Sequence, residues 1–241
     1  MSVAFEKRRL GPAPALIARP AVAILPLPVV LWFHGFTAGK SAHRPELVKL
    51  AEAGFLAVGI DAAGHGERRL ADFAERFQGT REENEREFYA LVAATVAELP
   101  GVLDLLCRDG LADEGRIGVA GVSMGGMISY GAVVADRRIR AAAALLGSPE
   151  WPHPESPHHH PSRFFPAALL SITGERDEAV PPAPARAFHA TLADSYRRQP
   201  ERLRYVEIAG APHIMETADW SFAIDETLLW LSRHLSADGS G

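Results

Sequence analysis

The sequence contains very little cysteine, since Cys107 is the only one in 241 residues. A single cysteine cannot close a disulfide within the chain, which excludes the disulfide-rich secreted scaffolds and favours a reducing compartment. Long apolar runs are also lacking. The longest spans only residues 21–33 and is broken by Pro26 and Pro28, so it is unsuited to spanning a bilayer. No apolar segment of signal-peptide type follows the charged residues 6–9. These absences predict a cytoplasmic protein with no membrane partner.

An excess of positive charge is absent as well. The chain has 25 Lys and Arg against 30 Asp and Glu, a formal net charge of −5, so no nucleic-acid partner is predicted. Internal repeats and low-complexity linkers are missing, which excludes solenoids and tethered domains. With 47% hydrophobic residues, the chain can bury a large core. We therefore expect one domain over residues 1–241, as a monomer or a homodimer.

Short apolar runs alternate with longer segments of helical period. The runs predict strands at 28–33, 55–60, 116–120, 141–146, 168–173 and 203–208, and the segments predict helices at 45–53, 88–107, 124–135, 183–197 and 218–235. Pro100 is expected to kink or divide its helix. Residues 1–20 are expected to add antiparallel edge strands. The alternation predicts an α/β fold with a mostly parallel sheet, and cap-like insertions at about 67–90 and 148–166.

The segment Gly121-Val-Ser123-Met-Gly125 fits the pattern G-x-S-x-G between a predicted strand and a predicted helix. In this pattern a nucleophilic serine sits on a tight strand-to-helix turn, and side chains at the two glycine positions would collide with neighbouring backbone. The amino-terminal end of the following helix also favours negative charge near the serine. The pattern therefore predicts Ser123 as a nucleophile.

A serine nucleophile needs a base that is oriented by an acid. In hydrolases with this pattern the acid and then the histidine follow later strands. Asp177 follows the predicted strand 168–173, and His213 follows 203–208, so we predict these as acid and base. Glu175 and Glu178 are the competing acids and are interpreted as solvated loop charges.

Other candidate side chains are assigned structural roles. His189 lies within a predicted helix and His234 near the end of another, whereas His34 and His65 lie in turns before glycine. Asp61 is expected to brace its turn, and the thiol of Cys107 to be inert. His153, His158, His159 and His160 lie on a proline-rich loop. Three consecutive histidines cannot easily face one ion, so no metal site is predicted there, although the loop is expected to shape access to the substrate.

These motifs resemble the α/β-hydrolase superfamily over about residues 29–235. The resemblance rests on His34-Gly-Phe36, Asp61-Ala-Ala-Gly-His-Gly66, GVSMGG at 121–126, GERDEAVP at 174–181 and His213. The chain is most similar to small bacterial carboxylesterases near the dienelactone-hydrolase and prolyl-oligopeptidase branches, in particular the YjfP type. It departs from dienelactone hydrolases in having serine where they use cysteine, so hydrolysis of dienelactones is not expected.

The resemblance implies a sheet of about eight strands with a minimal cap and a triad of Ser123, Asp177 and His213. It places an oxyanion hole at the backbone N–H groups of Phe36 and Met124, whose side chains would wall the substrate site. The expected activity is hydrolysis of small or short-chain carboxylic esters through an acyl-enzyme, with no cofactor. Two alternatives stay open: a peptide or amide hydrolase of the prolyl-oligopeptidase type, and a ligand-binding relative without turnover.

Overall fold

The computed structural model describes residues 2–236, and strands and helices alternate through them as the sequence predicts. The strands are β1 Val3–Leu10, β2 Ala13–Pro20, β3 Leu27–Phe33, β4 Leu56–Ile60, β5 Ala112–Val122, β6 Ile139–Leu145, β7 Ala168–Gly174 and β8 Leu203–Ile208. The helices are α1 Arg44–Glu52, α2 Phe73–Arg76, α3 Arg81–Arg108, α4 Met124–Ala135, α5 Ala183–Leu192 and α6 Thr217–Leu235.

All eight strands join one sheet in the order β1-β2-β4-β3-β5-β6-β7-β8. The pairs β1/β2 and β2/β4 are antiparallel, and every other neighbouring pair is parallel. The predicted α/β class, the eight-stranded, mostly parallel sheet and the antiparallel amino-terminal strands are confirmed. Because β3, β5, β7 and β8 run in one direction, the loops after them meet at the carboxyl edge of the sheet, where open α/β sheets place their sites.

Both faces of the sheet are covered by helices. Along β3, Val29, Leu31 and Phe33 belong to one core, which α3, α4 and α5 complete. Val30 and Trp32 point to the opposite core, which α1 and α6 cover. Successive strand residues face opposite sides, so a strand buried on both faces is a continuous apolar run. This is why β3 was recognisable from its sequence.

Helix α3 differs from its prediction at its start and at Pro100. It begins at Arg81 with a capping box between Thr80 and Glu83, and continues unbroken past Pro100 to Arg108. Pro100 was expected to kink or divide this helix, and the continuous course to Arg108 shows that it does not divide it. Leu99 and Leu103, on either side of the proline, are fully buried, and their packing offsets the hydrogen bond that the proline cannot donate.

Among the helices of residues 2–236, α3 alone is long and apolar enough to cross a membrane. The sequence prediction missed this because charged residues such as Glu98 interrupt the apolar run. Val92, Leu99 and Leu103 of α3 are buried in the core beside α4 and the sheet. One face of α3 is thus packed into the core, and 39% of its apolar segment is buried.

Helix α5 ends at Leu192 rather than at Arg197, which corrects its predicted end. After Leu192 the chain tightens into turns, with the N–H of Ser195 donating to the carbonyl of Leu192 at 3.0 Å. The turns carry Tyr196 into the core, where its hydroxyl donates to the carbonyl of Ala167. Burial of this aromatic ring favours the tighter backbone path.

Candidate active site

Ser123 lies at the sharp turn between β5 and α4. Its backbone has φ 57° and ψ −116°, a left-handed conformation that costs a residue with a side chain about 1–3 kcal/mol. Such strain persists only where the surrounding structure fixes it. Here the N–H of Ser123 donates to the carbonyl of Leu145 on β6 at 2.8 Å. The turn therefore lifts the serine hydroxyl above the carboxyl edge of the sheet.

The two glycines of the G-x-S-x-G segment are required by close backbone approach, as predicted. A Cβ on Gly125 would lie 2.1 Å from the carbonyl oxygen of Phe33, and one on Gly121 would lie 2.7 Å from the same atom. Neither distance is sterically allowed, and in both cases the obstacle is a main-chain atom of β3. The motif is therefore imposed by the packing of α4 against the sheet.

His213 and Asp177 join Ser123 in one chain of hydrogen bonds. The Ser123 hydroxyl lies 3.0 Å from Nε2 of His213, and Nδ1 of His213 lies 2.7 Å from Oδ2 of Asp177. Asp177 is buried, and its Oδ1 accepts the N–H of Val180 at 2.7 Å. With Nδ1 donating to the carboxylate, Nε2 is left as an acceptor for the serine proton. The three predicted residues thus meet, in a geometry suited to proton transfer from the serine.

The competing acids have different positions. Glu178 is exposed, as expected for a solvated charge. Glu175 is also exposed, but its Oε2 accepts the N–H of Gly210 at 2.6 Å. The interpretation of Glu175 as a solvated loop charge agrees with this exposure, and the bond to Gly210 in addition ties the loop after β7 to the loop that carries His213.

The backbone of Phe36 and Met124 borders the serine. Met124 is the first residue of α4, and the first N–H groups of a helix have no acceptor within it. The chain just before Phe36 passes close to Ser123, since a Cβ on Gly35 would lie 3.8 Å from the Cβ of Ser123. Phe36 and Met124 are therefore close to Ser123 along the chain or across the sheet edge.

A cleft of about 700 Å³ opens over Ser123 and His213. Its other lining residues are Phe36, Phe77, Arg81, Asn84, Glu85, Phe88, Tyr89, Met127, Ala179 and Val180. The side chain of Phe36 lines this cleft as expected, but that of Met124 is fully buried. Met127, one turn further along α4, takes that place, which corrects the prediction for Met124. Phe77, Phe88 and Tyr89 fall within the cap-like insertion expected at 67–90, but sequence reasoning did not single them out, because nothing local marks these side chains as lining a cleft.

His34 and His65 are structural in their contacts. Nδ1 of His34 donates to the carbonyl of Gly35 at 2.7 Å, and its Nε2 accepts the N–H of Ala62 at 3.0 Å. Burial lowers the pKa of His34 to about 4, so the neutral ring that these two bonds require is the form present at neutral pH. His65 is also buried, with its Nδ1 donating to the carbonyl of Ala63. His34 therefore holds the loop before Phe36 against the loop after β4.

Asp61 braces these same two loops, as predicted. Its carboxylate accepts from the N–H and the ammonium of Lys40, both at 2.7 Å, and from the N–H of Glu67 at 2.9 Å. Burial alone would raise the pKa of Asp61, but the hydrogen bonds from Lys40 hold it below its usual value. Nothing in the sequence indicates Lys40 as the partner of Asp61, since the two residues lie 21 positions apart.

We expect Asp61→Asn to destabilise the protein by about 3 kcal/mol, because removing the buried carboxylate of this ion pair leaves the Lys40 ammonium with only the half-exposed Glu67 as its partner. Lys40 is only 5% exposed. The matched control is Glu67→Gln, which removes the half-exposed partner of Lys40 and should cost under about 1 kcal/mol. Urea unfolding measures both values, and equal losses in the two variants would contradict this account of the brace.

The histidine-rich loop does not line the cleft over Ser123, which corrects the expectation that it shapes access there. It folds into two short 3₁₀ turns, and His160 instead lines a separate cavity of about 360 Å³ beside α3 and α4. The histidine rings form hydrogen bonds within the loop, such as the 2.6 Å contact between Nδ1 of His158 and the hydroxyl of Ser156. Within residues 2–236 no three His, Cys, Asp or Glu side chains converge in a way that could hold a metal.

Comparison with known proteins places the chain among hydrolases. The α/β hydrolase family model matches residues 29–238. YitV, a supposed esterase of Bacillus subtilis (strain 168), is 30% identical over 87% of this chain and 90% of its own. Esterase YjfP of Escherichia coli (strain K12) is 29% identical over 61% of this chain and 56% of its own.

Solved structures give the same fold. TT1662 of Thermus thermophilus superposes with a TM-score of 0.79 at 24% identity, over 98% of this chain and all of its own. A supposed dienelactone hydrolase of Klebsiella pneumoniae gives a TM-score of 0.76 at 19% identity, over 97% of this chain and all of its own. At these identities the likeness establishes the fold alone. From the family match and the extent of the similarity to YitV, the chain belongs to the α/β hydrolase family.

Proposed function

We propose that the protein is a serine carboxylic-ester hydrolase that acts on small or short-chain acyl esters through an acyl-enzyme. The observation that carries the proposal is the hydrogen-bonded chain Ser123–His213–Asp177, with Ser123 and His213 lining an open cleft. The esterase designations of YitV and YjfP agree with it.

In the proposed reaction, Nε2 of His213 takes the proton of Ser123 while the serine oxygen attacks the ester carbonyl. Asp177 holds the ring in the required tautomer and stabilises the imidazolium. The N–H groups of Phe36 and Met124 donate to the oxyanion, and losing one such donor commonly costs about 3 kcal/mol of barrier. His213 then gives its proton to the leaving alcohol, and water repeats the sequence to release the acid.

Every proton in this scheme is moved by a side chain of the protein, so the proposal includes no metal or other cofactor. The partner is a small ester, with neither nucleic acid nor membrane involved. A cytoplasmic location and a monomeric or homodimeric state complete the proposal.

The test compares esters with amides of matched acyl group. We expect p-nitrophenyl acetate and butyrate to be hydrolysed with kcat/KM at least about 100-fold above p-nitroacetanilide and p-nitrobutyranilide. An open cleft holds an amide too loosely to help expel its poorer leaving group. Release of nitrophenol or nitroaniline measures both series. Amides cleaved as fast as esters would favour the peptidase alternative, and no turnover of either would favour a binding protein.

A further inference from the structure

Aromatic side chains form one wall of the cleft over Ser123. Phe36, Phe77, Phe88 and Tyr89 line it. The ring centroid of Phe36 lies 4.9 Å from that of Phe77 and 5.3 Å from that of Phe88, and both pairs meet edge to face. We call these four residues the aromatic wall. The proposed ester chemistry does not itself require it.

The aromatic wall is held in place from behind. The ring of Phe36 also packs against those of His65 and Phe73, with centroids 5.5 Å away in each case. Phe73 is buried, whereas Phe36 and Phe88 are half-buried. A wall with fixed, partly exposed ring edges and faces can receive a further ring without ordering its own side chains first.

The cleft offers no unpaired charge to a substrate among its described lining residues other than the reacting His213. Arg81 and Glu85 bond to each other, with Nε of Arg81 2.8 Å from Oε1 of Glu85. The amide side chain of Asn84 bonds to the backbone of Gly79. A carboxylate on the substrate would therefore lose water and find one cation in the lining, Arg81, which is 92% exposed and whose charge Glu85 already balances. The lining favours a neutral ligand.

With the N–H of Phe36 as an oxyanion donor, the aromatic wall, which includes the Phe36 ring, borders the carbonyl group of the ester. The leaving alcohol must lie at Nε2 of His213 to receive its proton. The carbonyl oxygen of the ester would lie at the N–H of Phe36, and the acyl substituent is bonded to the carbon of that carbonyl. The ring of Phe36 contacts those of Phe77 and Phe88 at the centre of the aromatic wall. The cleft has room for an aromatic acyl group, since a cavity of about 150 Å³ holds a benzene ring and the cleft measures about 700 Å³.

We propose that the cleft selects neutral esters whose short acyl group ends in an aromatic ring, such as phenylacetyl and phenylpropionyl esters. This inference rests on the proposed esterase function and names its substrate class. Phe36, Phe77, Phe88 and Tyr89 determine the specificity by packing against the acyl ring.

The test compares kcat/KM for matched methyl esters. Methyl phenylacetate should exceed methyl hexanoate by about fivefold, the scale of one aromatic pair beyond its buried area. Adding a para carboxylate to methyl phenylacetate should abolish this advantage. The ratio of kcat/KM for benzyl acetate over hexyl acetate, in which the ring is on the alcohol, should be smaller than the ratio for methyl phenylacetate over methyl hexanoate. The proposal is overturned if kcat/KM for methyl hexanoate equals or exceeds that for methyl phenylacetate. It is also overturned if kcat/KM for the carboxylated ester equals or exceeds that for methyl phenylacetate, or if the ratio for the two acetates is the larger one.

Phe88→Leu tests the aromatic wall directly. It should lower the ratio of kcat/KM for methyl phenylacetate over methyl hexanoate about fivefold. Phe222→Leu, at an exposed position of α6, is the matched control and should leave the ratio unchanged. If Phe88→Leu slows both esters equally, the aromatic wall does not select the acyl group.

Ser123→Ala separates this inference from the proposed function. Calorimetry on this variant should give a Kd for methyl phenylacetate about fivefold below that for methyl hexanoate, because the aromatic wall is unaltered. Equal affinities would overturn the aryl preference. Tighter binding of methyl phenylacetate by Ser123→Ala, together with a wild-type protein that cleaves no ester, would retain the aryl site and refute the esterase.

Discussion

Ser123→Ala is expected to lower kcat for p-nitrophenyl butyrate by about 10⁵-fold while leaving the protein folded. The serine oxygen is the atom that would bond to the acyl group, and removing the nucleophile of such a triad eliminates nearly all rate enhancement beyond oxyanion stabilisation and binding. Alanine can occupy the strained φ of 57° no worse than serine does. The loss should therefore be in chemistry rather than in stability.

Ser129→Ala is the matched control for that variant. Ser129 lies on the same helix α4, is buried, and donates its hydroxyl only to the carbonyl of Gly125. Its removal should change kcat by less than about threefold, because a helix hydroxyl bonded to its own backbone contributes little. Steady-state rates and thermal unfolding of both variants check this. Activity retained in Ser123→Ala would refute the nucleophile assignment.

Asp177→Asn is expected to lower kcat by about 10⁴-fold. The contacts of Asp177 explain the size of the effect. Its Oδ1 accepts the N–H of Val180, so an asparagine would turn its carbonyl oxygen to Val180 and its NH₂ group to His213. Nδ1 of His213 would then have to accept, which leaves Nε2 protonated and unable to take the serine proton.

The control for this substitution is Glu178→Gln, which removes the same kind of charge from the same loop at an exposed position. It should change kcat by less than about twofold. The rate of Asp177→Asn should also recover partly at high pH, where hydroxide can assist deprotonation of the serine. Equal losses in the two variants would indicate that loop charge, rather than the orientation of His213, controls the rate.

The fold was predictable from sequence where burial or a steric contact constrains a few consecutive residues. β3 is buried on both faces, so its composition alone identifies it. The G-x-S-x-G turn is likewise fixed by contacts within β5, α4 and the adjoining β3. The unbroken course of α3 through Pro100 was not predictable, because tertiary packing of Leu99 and Leu103 decides it.

The candidate site likewise contains residues that were predictable from sequence and residues that were not. Ser123, Asp177 and His213 each follow a strand of the parallel sheet, so strand order brings them together. The aromatic wall comes from residues on three separate segments, Phe36, Phe77 and Phe88–Tyr89, and no spacing rule connects these. The ion pair between Asp61 and Lys40 likewise depends on two loops meeting at the sheet edge. Sequence could therefore indicate the candidate catalytic groups but not the individual side chains that line the cleft above them.

The central claim, that Ser123 forms a covalent acyl-enzyme, is tested most directly by labelling with a fluorophosphonate and mapping the adduct by mass spectrometry. Such reagents phosphonylate an activated serine in a triad and mimic the tetrahedral intermediate. We predict one adduct, on Ser123, formed in parallel with loss of activity, slowed in Asp177→Asn and absent in Ser123→Ala. An inactivated protein with its adduct on another residue, or full activity after Ser123 is labelled, would contradict the claim.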